Sequence, residues 1–244
     1  MKDKVNKKTF GLFAVCFALF LGFVSALALC VQALNAPLPV SAANSKLKIV
    51  IDAGHGGVDG GVMGKNGAKE SDLNLSISLK LKTLLEEMGF DVTLTRKTTS
   101  GLYGVATKGF KKRDMLKRKE VIENAAPDLV LSIHQNFYPS ASTRGGQVFY
   151  NKQNANSQTL ATCLQTQLNE LYAKQGVRPR TEKFGEYYLL QCTDYPTVII
   201  ECGFLSNAKD ETLLKSNDFK RKLCGSIAAG VLNYLQTKGA AGFA

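Results

Sequence analysis

Short runs of apolar, largely β-branched residues, each followed by a loop and then by helical periodicity, constrain this chain more than any other feature. Leu47 to Ala53, Asp128 to Ile133 and Thr197 to Cys202 are too short for helices and lack a repeating polar face. They read as strands covered on both sides. Asp91 to Thr95 adds a strand, and Gln147 to Tyr150 a short one.

Between them the apolar spacing changes to that of a helix. From Ser71, a reasonable cap, Ile77, Leu81, Leu84, Leu85 and Met88 share one face, and Gly89 is a reasonable stop. A second helix starts at about Arg113 and must end at Pro127; a third runs from Ala155 to Tyr172 with Leu160, Leu164, Leu168 and Leu171 inward. A closing helix spans about Asp218 to Leu235, with Phe219, Leu223, Ile227 and Tyr234 on its apolar face. Alternating strands and helices predict a single α/β domain, a largely parallel twisted sheet with helices on both faces.

This domain is expected over residues 46–237, followed by a flexible tail at 238–244. In front of it, Lys2, Lys4, Lys7 and Lys8 precede an uncharged apolar run from Phe10 to Leu34, which predicts an N-terminal signal or anchor helix over residues 1–35. Basic residues ahead of the apolar run place everything downstream on the outer face of the membrane. The run is long enough to span a bilayer, which favours an uncleaved anchor, although Val40-Ser41-Ala42 is a plausible cleavage site. Pro37, Pro39 and Ser41 to Ser45 mark residues 36–45 as a linker.

The formal charge is +11, of which the N-terminal cluster supplies three units. The remainder favours an anionic partner electrostatically. An exported protein meets wall polymers and phospholipid head groups before nucleic acid, so no nucleic-acid partner is expected. The densest basic run, Lys108 to Lys119, reads equally well as a solvated loop and helix face. Cys16 and Cys30 fall in the apolar segment; Cys163, Cys192, Cys202 and Cys224 lack the spacing of a zinc knot and read as small buried hydrophobes, with one bridge possible.

Only two histidines exist, His55 and His134, and each lies just past the carboxyl end of a predicted strand. In open α/β sheets loops converge there to build sites, so both are ligand candidates. Glycines crowd the segment from Asp52 to Gly61 and leave room around an imidazole and for a bulky ligand. No Gly-Lys-Ser/Thr ending follows, so the segment is not a P-loop. Glu70 precedes the first helix, and Glu201 ends the apolar run Thr197 to Ile200. A carboxylate there demands a metal, a cation or a proton-transfer task nearby. Two histidines and one carboxylate on zinc, with a second carboxylate moving protons, is the layout of a hydrolytic site. Spacing alone leaves open which carboxylate does which.

The runs Ile49 to Gly57, then Glu70, then Leu131 to Asn136, then Ile200 to Asn207 resemble, in order, the motifs of the zinc N-acetylmuramoyl-L-alanine amidases. The resemblance spans about Lys46 to Leu235. It implies that His55, Glu70 and His134 bind Zn2+, that Glu201 is the catalytic carboxylate, and that Asn136, Gly56 and Gly57 contact substrate. The implied reaction is hydrolysis of the amide between N-acetylmuramic acid and L-alanine in peptidoglycan glycan-peptide strands. Lys108 to Arg113, and the lack of a separate wall-binding module, resemble the short spore-cortex amidases, which implies muramic δ-lactam formation in the cortex space; whether an activating protein partner is needed stays open. Two departures from the family pattern are Gln135 and Cys202. No helical segment beyond Ala155 to Tyr172 is evident between His134 and Glu201, so an open groove is expected. General wall remodelling, a zinc peptidase acting on wall peptides, and a wall-binding protein without activity are the competing readings.

Overall fold

A computed structural model of the chain describes residues 46–241; the expected signal or anchor helix and its linker lie outside them. Among the described residues no helix is long and apolar enough to cross a membrane. The strands are β1 (Lys48–Ala53), β2 (Asp91–Leu94), β3 (Leu129–Asn136), β4 (Gln147–Tyr150), β5 (Lys183–Phe184) and β6 (Thr197–Phe204). The helices are α1 (Glu70–Glu87), α2 (Phe110–Ala125), α3 (Ala155–Ala173), α4 (Tyr188–Gln191), α5 (Ala208–Lys215) and α6 (Asn217–Ala241).

One six-stranded sheet runs in the order β2-β1-β3-β6-β4-β5. β1, β2, β3 and β6 are mutually parallel, whereas β4 pairs antiparallel with β6 and parallel with β5. The expected α/β architecture therefore holds, with the last two strands at one end of the sheet, β4 and β5, reversed. Chain direction matters here because β1 and β3 are neighbours although β2 lies between them in sequence. The crossovers from β1 and from β2 thus leave in opposite directions, and the crevice between β1 and β3 opens at the carboxyl ends of both.

Strand alternation sorts the side chains. Ile49 and Ile51, Leu129, Leu131 and Ile133, and Val198 and Ile200 turn to one face, where they join the main core with residues of α1, α3 and α6. Val50 and Val130 turn to the other, against Ile122 of α2 and Leu189 of α4. Each such buried aliphatic side chain contributes about 1.5–3 kcal/mol. Asp52, Ser132, His134, Ile199 and Glu201 fall on that second face by the same period-2 rule.

Several boundaries differ from the sequence expectation. α1 begins at Glu70, with Ser71 buried inside its first turn instead of capping it. Backbone carbonyls do the capping, since Glu70 N–H donates to Val62 O at 3.0 Å and Ser71 N–H to Gly60 O at 3.1 Å. Met88, placed on the inward face, is the C-cap and is exposed. α2 starts at Phe110, after Gly109 in a left-handed conformation, and α6 continues to Ala241, into the stretch expected as tail. Cys163, Cys192, Cys202 and Cys224 are free thiols, so no bridge forms among them; Cys202 and Cys224 are buried and the other two half-buried.

Candidate active site

His55 follows β1, His134 lies in β3, and Glu70 opens α1, so three separate elements converge on one point. His55 Nε2 stands 3.3 Å and His134 Nδ1 3.1 Å from Glu70 Oε1. The two imidazoles meet edge to face with centroids 5.0 Å apart, and one donor atom from each of the three residues lies within 4.8 Å of the others. Two neutral nitrogens and one carboxylate oxygen form a donor set that suits zinc, and their convergence fits a metal ion. The Glu70 carboxylate is further fixed by Val62 N–H on Oε2 at 2.9 Å and Gln135 N–H on Oε1 at 3.1 Å. Burial raises its pKa, but hydrogen bonds from His134 and His55 outweigh this and hold it well below the carboxylate range. Burial lowers the His55 pKa, and Glu70 and Asp59 more than reverse it. On the far side of that ring, Nδ1 lies 3.0 Å from Asp59 Oδ2, so a carboxylate holds the imidazole with Nε2 toward Glu70.

Glu201 stands beside His134 in the parallel register of β3 and β6. Parallel partners project to the same side of the sheet, which puts the carboxyl next to the three-residue cluster. Its Oε2 is shielded from solvent and has no hydrogen-bond partner. Burial, with Glu70 adding repulsion, raises its pKa to about 7 against the opposing pull of His134 and His55. A cavity of about 270 Å³ opens beside this cluster, lined by Gly54, His55, His134 and Glu201 together with Met115, Tyr187 and Tyr188. A buried cleft with a carboxyl whose pKa lies near neutrality, beside a cluster that could hold a metal ion, is suited to hydrolysis.

Known proteins bear on what is hydrolysed. Residues 49–233 match the family described as N-acetylmuramoyl-L-alanine amidase. The chain belongs to that family. The germination-specific N-acetylmuramoyl-L-alanine amidase of Bacillus subtilis is 33% identical over 194 residues, 78% of this chain and 81% of the relative. Among solved structures, the CwlD amidase of Clostridioides difficile, determined in complex with the GerS lipoprotein, superposes with TM-score 0.74 at 36% identity, covering 79% of this chain and all of that one (100%). The catalytic domain of the amidase CwlV from Bacillus (Paenibacillus) polymyxa gives TM-score 0.67 at 29% identity over 78% of this chain and 98% of that domain. The enzyme is an amidase that cleaves N-acetylmuramic acid from L-alanine in peptidoglycan.

In this amidase His55, Glu70, His134 and Glu201, picked out from sequence, come together at one site. Gly56, Gly57 and Asn136 do not join the cavity wall. Gly56 and Gly57 pack against the loop at residues 100–103, where a Cβ on Gly57 would lie 2.0 Å from the Tyr103 hydroxyl, and the Asn136 carbonyl accepts from Leu205 N–H at 2.8 Å. The glycines that make room for the His55, Glu70 and His134 cluster are Gly54 and Gly61: a Cβ would come within 2.3 Å of the His134 ring and of Glu70 Oε2, respectively. Gly54→Ala is therefore expected to displace His134 and lower amidase activity by about 100-fold, the usual loss for a misplacement near 1 Å. Metal titration of the purified variant should show weakened binding, and unchanged binding would show that the imidazole tolerates the methyl.

Sequence reasoning missed the arginines behind the site. His55 has φ +61°, a strained conformation for a non-glycine residue. Arg118 holds it there, donating to His55 O at 2.7 Å, Ala53 O at 2.8 Å and Asp52 Oδ1 at 2.5 Å. Arg96 donates to Ala53 O at 2.8 Å, Gly54 O at 3.0 Å and Ser71 O at 2.8 Å. Both guanidinium groups are buried. Arg118 belongs to the basic run read as a solvated face; Asp52, a buried acid within an apolar strand, was the signal that a buried cation must face it. The open groove also carries an unforeseen feature, since the one-turn α4 lies between β3 and β6 in sequence and Tyr188 and Leu189 of it wall the cavity. His55 and His134 nevertheless keep 25% and 22% side-chain exposure, enough for ligand access.

Proposed function

We propose that the enzyme is a zinc-dependent peptidoglycan amidase in which His55, Glu70 and His134 hold the metal and Glu201 carries the proton. The observation behind this reading is Glu201 itself: a shielded carboxyl oxygen without a partner, alongside a two-histidine, one-carboxylate cluster. A bound zinc ion supplies Lewis acidity toward the amide carbonyl and water. Glu201 accepts the proton of the attacking water and delivers it to the departing L-alanine nitrogen, acting as general base and then general acid. Asp59 keeps His55 turned toward the metal, and the carboxylate of Glu70, already ionised, needs no proton loss on binding.

Treatment with a chelator is expected to abolish activity on purified sacculi, with zinc restoring it where magnesium does not, because nitrogen ligands favour zinc. Full turnover by chain verified as metal-free by elemental analysis would refute the metal assignment. We further propose that the enzyme acts outside the cytoplasm in spore-cortex maturation, on the strength of its similarity to the germination-specific amidase and to CwlD. A lipoprotein partner belongs to the same reading, by analogy with the GerS complex. Cortex from a deletion strain should then lack muramic δ-lactam, and normal cortex would reject the sporulation role while leaving the amidase chemistry intact.

A further inference from the structure

Two cavities away from the catalytic one adjoin at a single arginine. The first, of about 440 Å³, is lined by Arg144, Arg178 and Arg180 with Ser142, Thr143 and Val177 among others. The second, also of about 440 Å³, takes Arg144 again, with Gln175, Lys209 and Thr212. Every charged side chain that lines either of them is a cation, and neither shares a lining residue with the catalytic cavity. The hydrolytic mechanism uses none of these residues.

Two of the guanidinium groups are fixed from behind. Arg144 Nε donates to Asp210 Oδ1 at 2.9 Å, and its Nη1 to Gln175 O at 3.3 Å. Asp210 is fully buried and also accepts from Gly145 N–H at 2.7 Å. Arg180 Nε donates to Arg144 O at 3.0 Å, while its Cζ lies 4.9 Å from the centroid of the Phe204 ring. Asn169 holds the Arg180 backbone at its N–H (3.0 Å) and at its carbonyl (2.8 Å). This frame leaves Nη2 of Arg144 and both terminal nitrogens of Arg180 without a partner among the described residues. Arg178 and Lys209 are exposed and join no ion pair among the described residues. A purely structural role accounts for the bonds to Asp210 and Arg144 O, but not for the terminal nitrogens or for the two exposed cations. Like charges gathered without a facing acid repel one another. Guanidinium forks with free N–H groups, held in place, are the chemistry that takes phosphate oxygens two at a time.

We propose that these adjoining cavities bind a phosphodiester polymer with a polyol backbone, holding the enzyme to an anionic matrix while the separate catalytic cavity acts. The carrier of the phosphate follows from the lining. None of the lining residues is aromatic, so a nucleic-acid base finds no stacking surface. None belongs to the exposed large hydrophobic residues, so a bilayer finds no apolar anchor. Cations in both cavities, with Arg144 between them, suit a chain of repeating charges better than one small ion. The positive charge that the N-terminal cluster does not supply thereby gains a place on the domain. The proposal depends neither on the metal nor on Glu201.

The test measures binding of polyglycerol phosphate to the full chain by calorimetry. Arg178→Gln combined with Lys209→Gln removes two exposed charges that lie outside the hydrogen-bonded frame. Matching melting temperatures and unchanged hydrolysis of a short soluble muropeptide would show that fold and active site are intact. The double variant should bind the polymer about tenfold more weakly than the parent. Both chains keep Lys2, Lys4, Lys7 and Lys8, so the difference between them reports the cavities alone. Inorganic phosphate should displace the polymer from the parent more completely than sodium chloride of equal ionic strength, which acts by screening. Should the double variant fail to fold, Arg178→Gln by itself must show the weakened binding. Equal affinity in parent and variant, no polymer binding by the parent, or displacement by chloride as complete as by phosphate would each overturn the proposal. The same pair is compared on phosphatidylglycerol vesicles and on single-stranded DNA. A loss there as large as on the polymer would assign the cations to head groups or to polyanions in general, and would overturn it too.

Discussion

Glu201→Gln is expected to lower kcat on sacculi by about 10²–10⁴-fold, the contribution of a positioned acid–base group, while the chain still binds one metal ion per molecule. Glutamine keeps the shape and volume of the side chain, so the cavity wall is preserved and only the proton acceptor is lost. Elemental analysis and release of stem peptides, measured on the same preparation, check both halves; undiminished turnover would remove Glu201 from the mechanism. The same substitution should have an opposite effect on folding. A carboxyl whose pKa is raised from 4.5 to about 7 by burial favours its protonated form in the native state. The native state therefore carries no penalty below pH 4.5 and the full penalty above pH 7. In chelator-treated chain, where no cation offsets the charge, the variant should be more stable than the parent at pH 8 by about 3 kcal/mol and equal to it near pH 4. Urea unfolding at the two values checks the sign. A parent that is the more stable chain at pH 8 would show that Glu201 is better compensated than its surroundings indicate.

Arg118→Met is expected to cost about 3–5 kcal/mol, the usual result of removing one partner from a buried ion pair. Asp52, 1% exposed, would keep its hydrogen bonds from Thr95 and Ser132, both 2.7 Å, but lose the cation. The carbonyls of Ala53 and His55 would lose their donor at the same time, releasing the strained backbone that presents the His55 imidazole, so activity should fall with stability. Arg118→Lys should recover only part of the loss, because an ammonium cannot span Asp52, Asp114 and two carbonyls as the guanidinium does. The pH dependence follows from Asp52. Burial raises its pKa, but Arg118, with the Ser132 and Thr95 hydroxyls, outweighs this and holds it at about 2. Depression of a carboxylate pKa gives stability that is complete above its ordinary value of 3.8 and lost as pH falls through about 2. The gap between parent and variant in urea unfolding should therefore narrow as pH drops from 4 toward 2. A constant gap would mean that the guanidinium acts through the loop carbonyls alone.

These two residues also show how far sequence reasoning reaches. Glu201 was legible because an acid closing the run Thr197 to Ile200 violates a local pattern, and His55 and His134 because the only two histidines in the sequence both follow apolar runs. Such signals are local, and strand alternation carries them directly into the fold: register pairs His134 with Glu201 on one face. The parallel sheet and its helices were equally legible, since hydrophobic period reports burial on one face or two. Arg118 was not legible. On a helix rich in lysine its charge looks like its neighbours', and only the packing of α2 over the end of β1 turns that one guanidinium inward to Asp52. Gly54 and Gly61 stood out only as members of a glycine-rich stretch. Which glycines clear the imidazole and the carboxylate depends on distances between β1, β3 and α1. The aromatic lining of the cavity was hidden for the same reason, because Phe149 and Tyr187 are far apart in sequence and meet only through the pairing of β4 with β5. The sequence alone determined the elements, which residues the fold gathers at one place, and the chemical class, each of which rests on patterns within a few residues. Tertiary structure alone decided which charges are buried and which glycines are obligatory, because those are set by contacts between segments that the chain brings together only on folding.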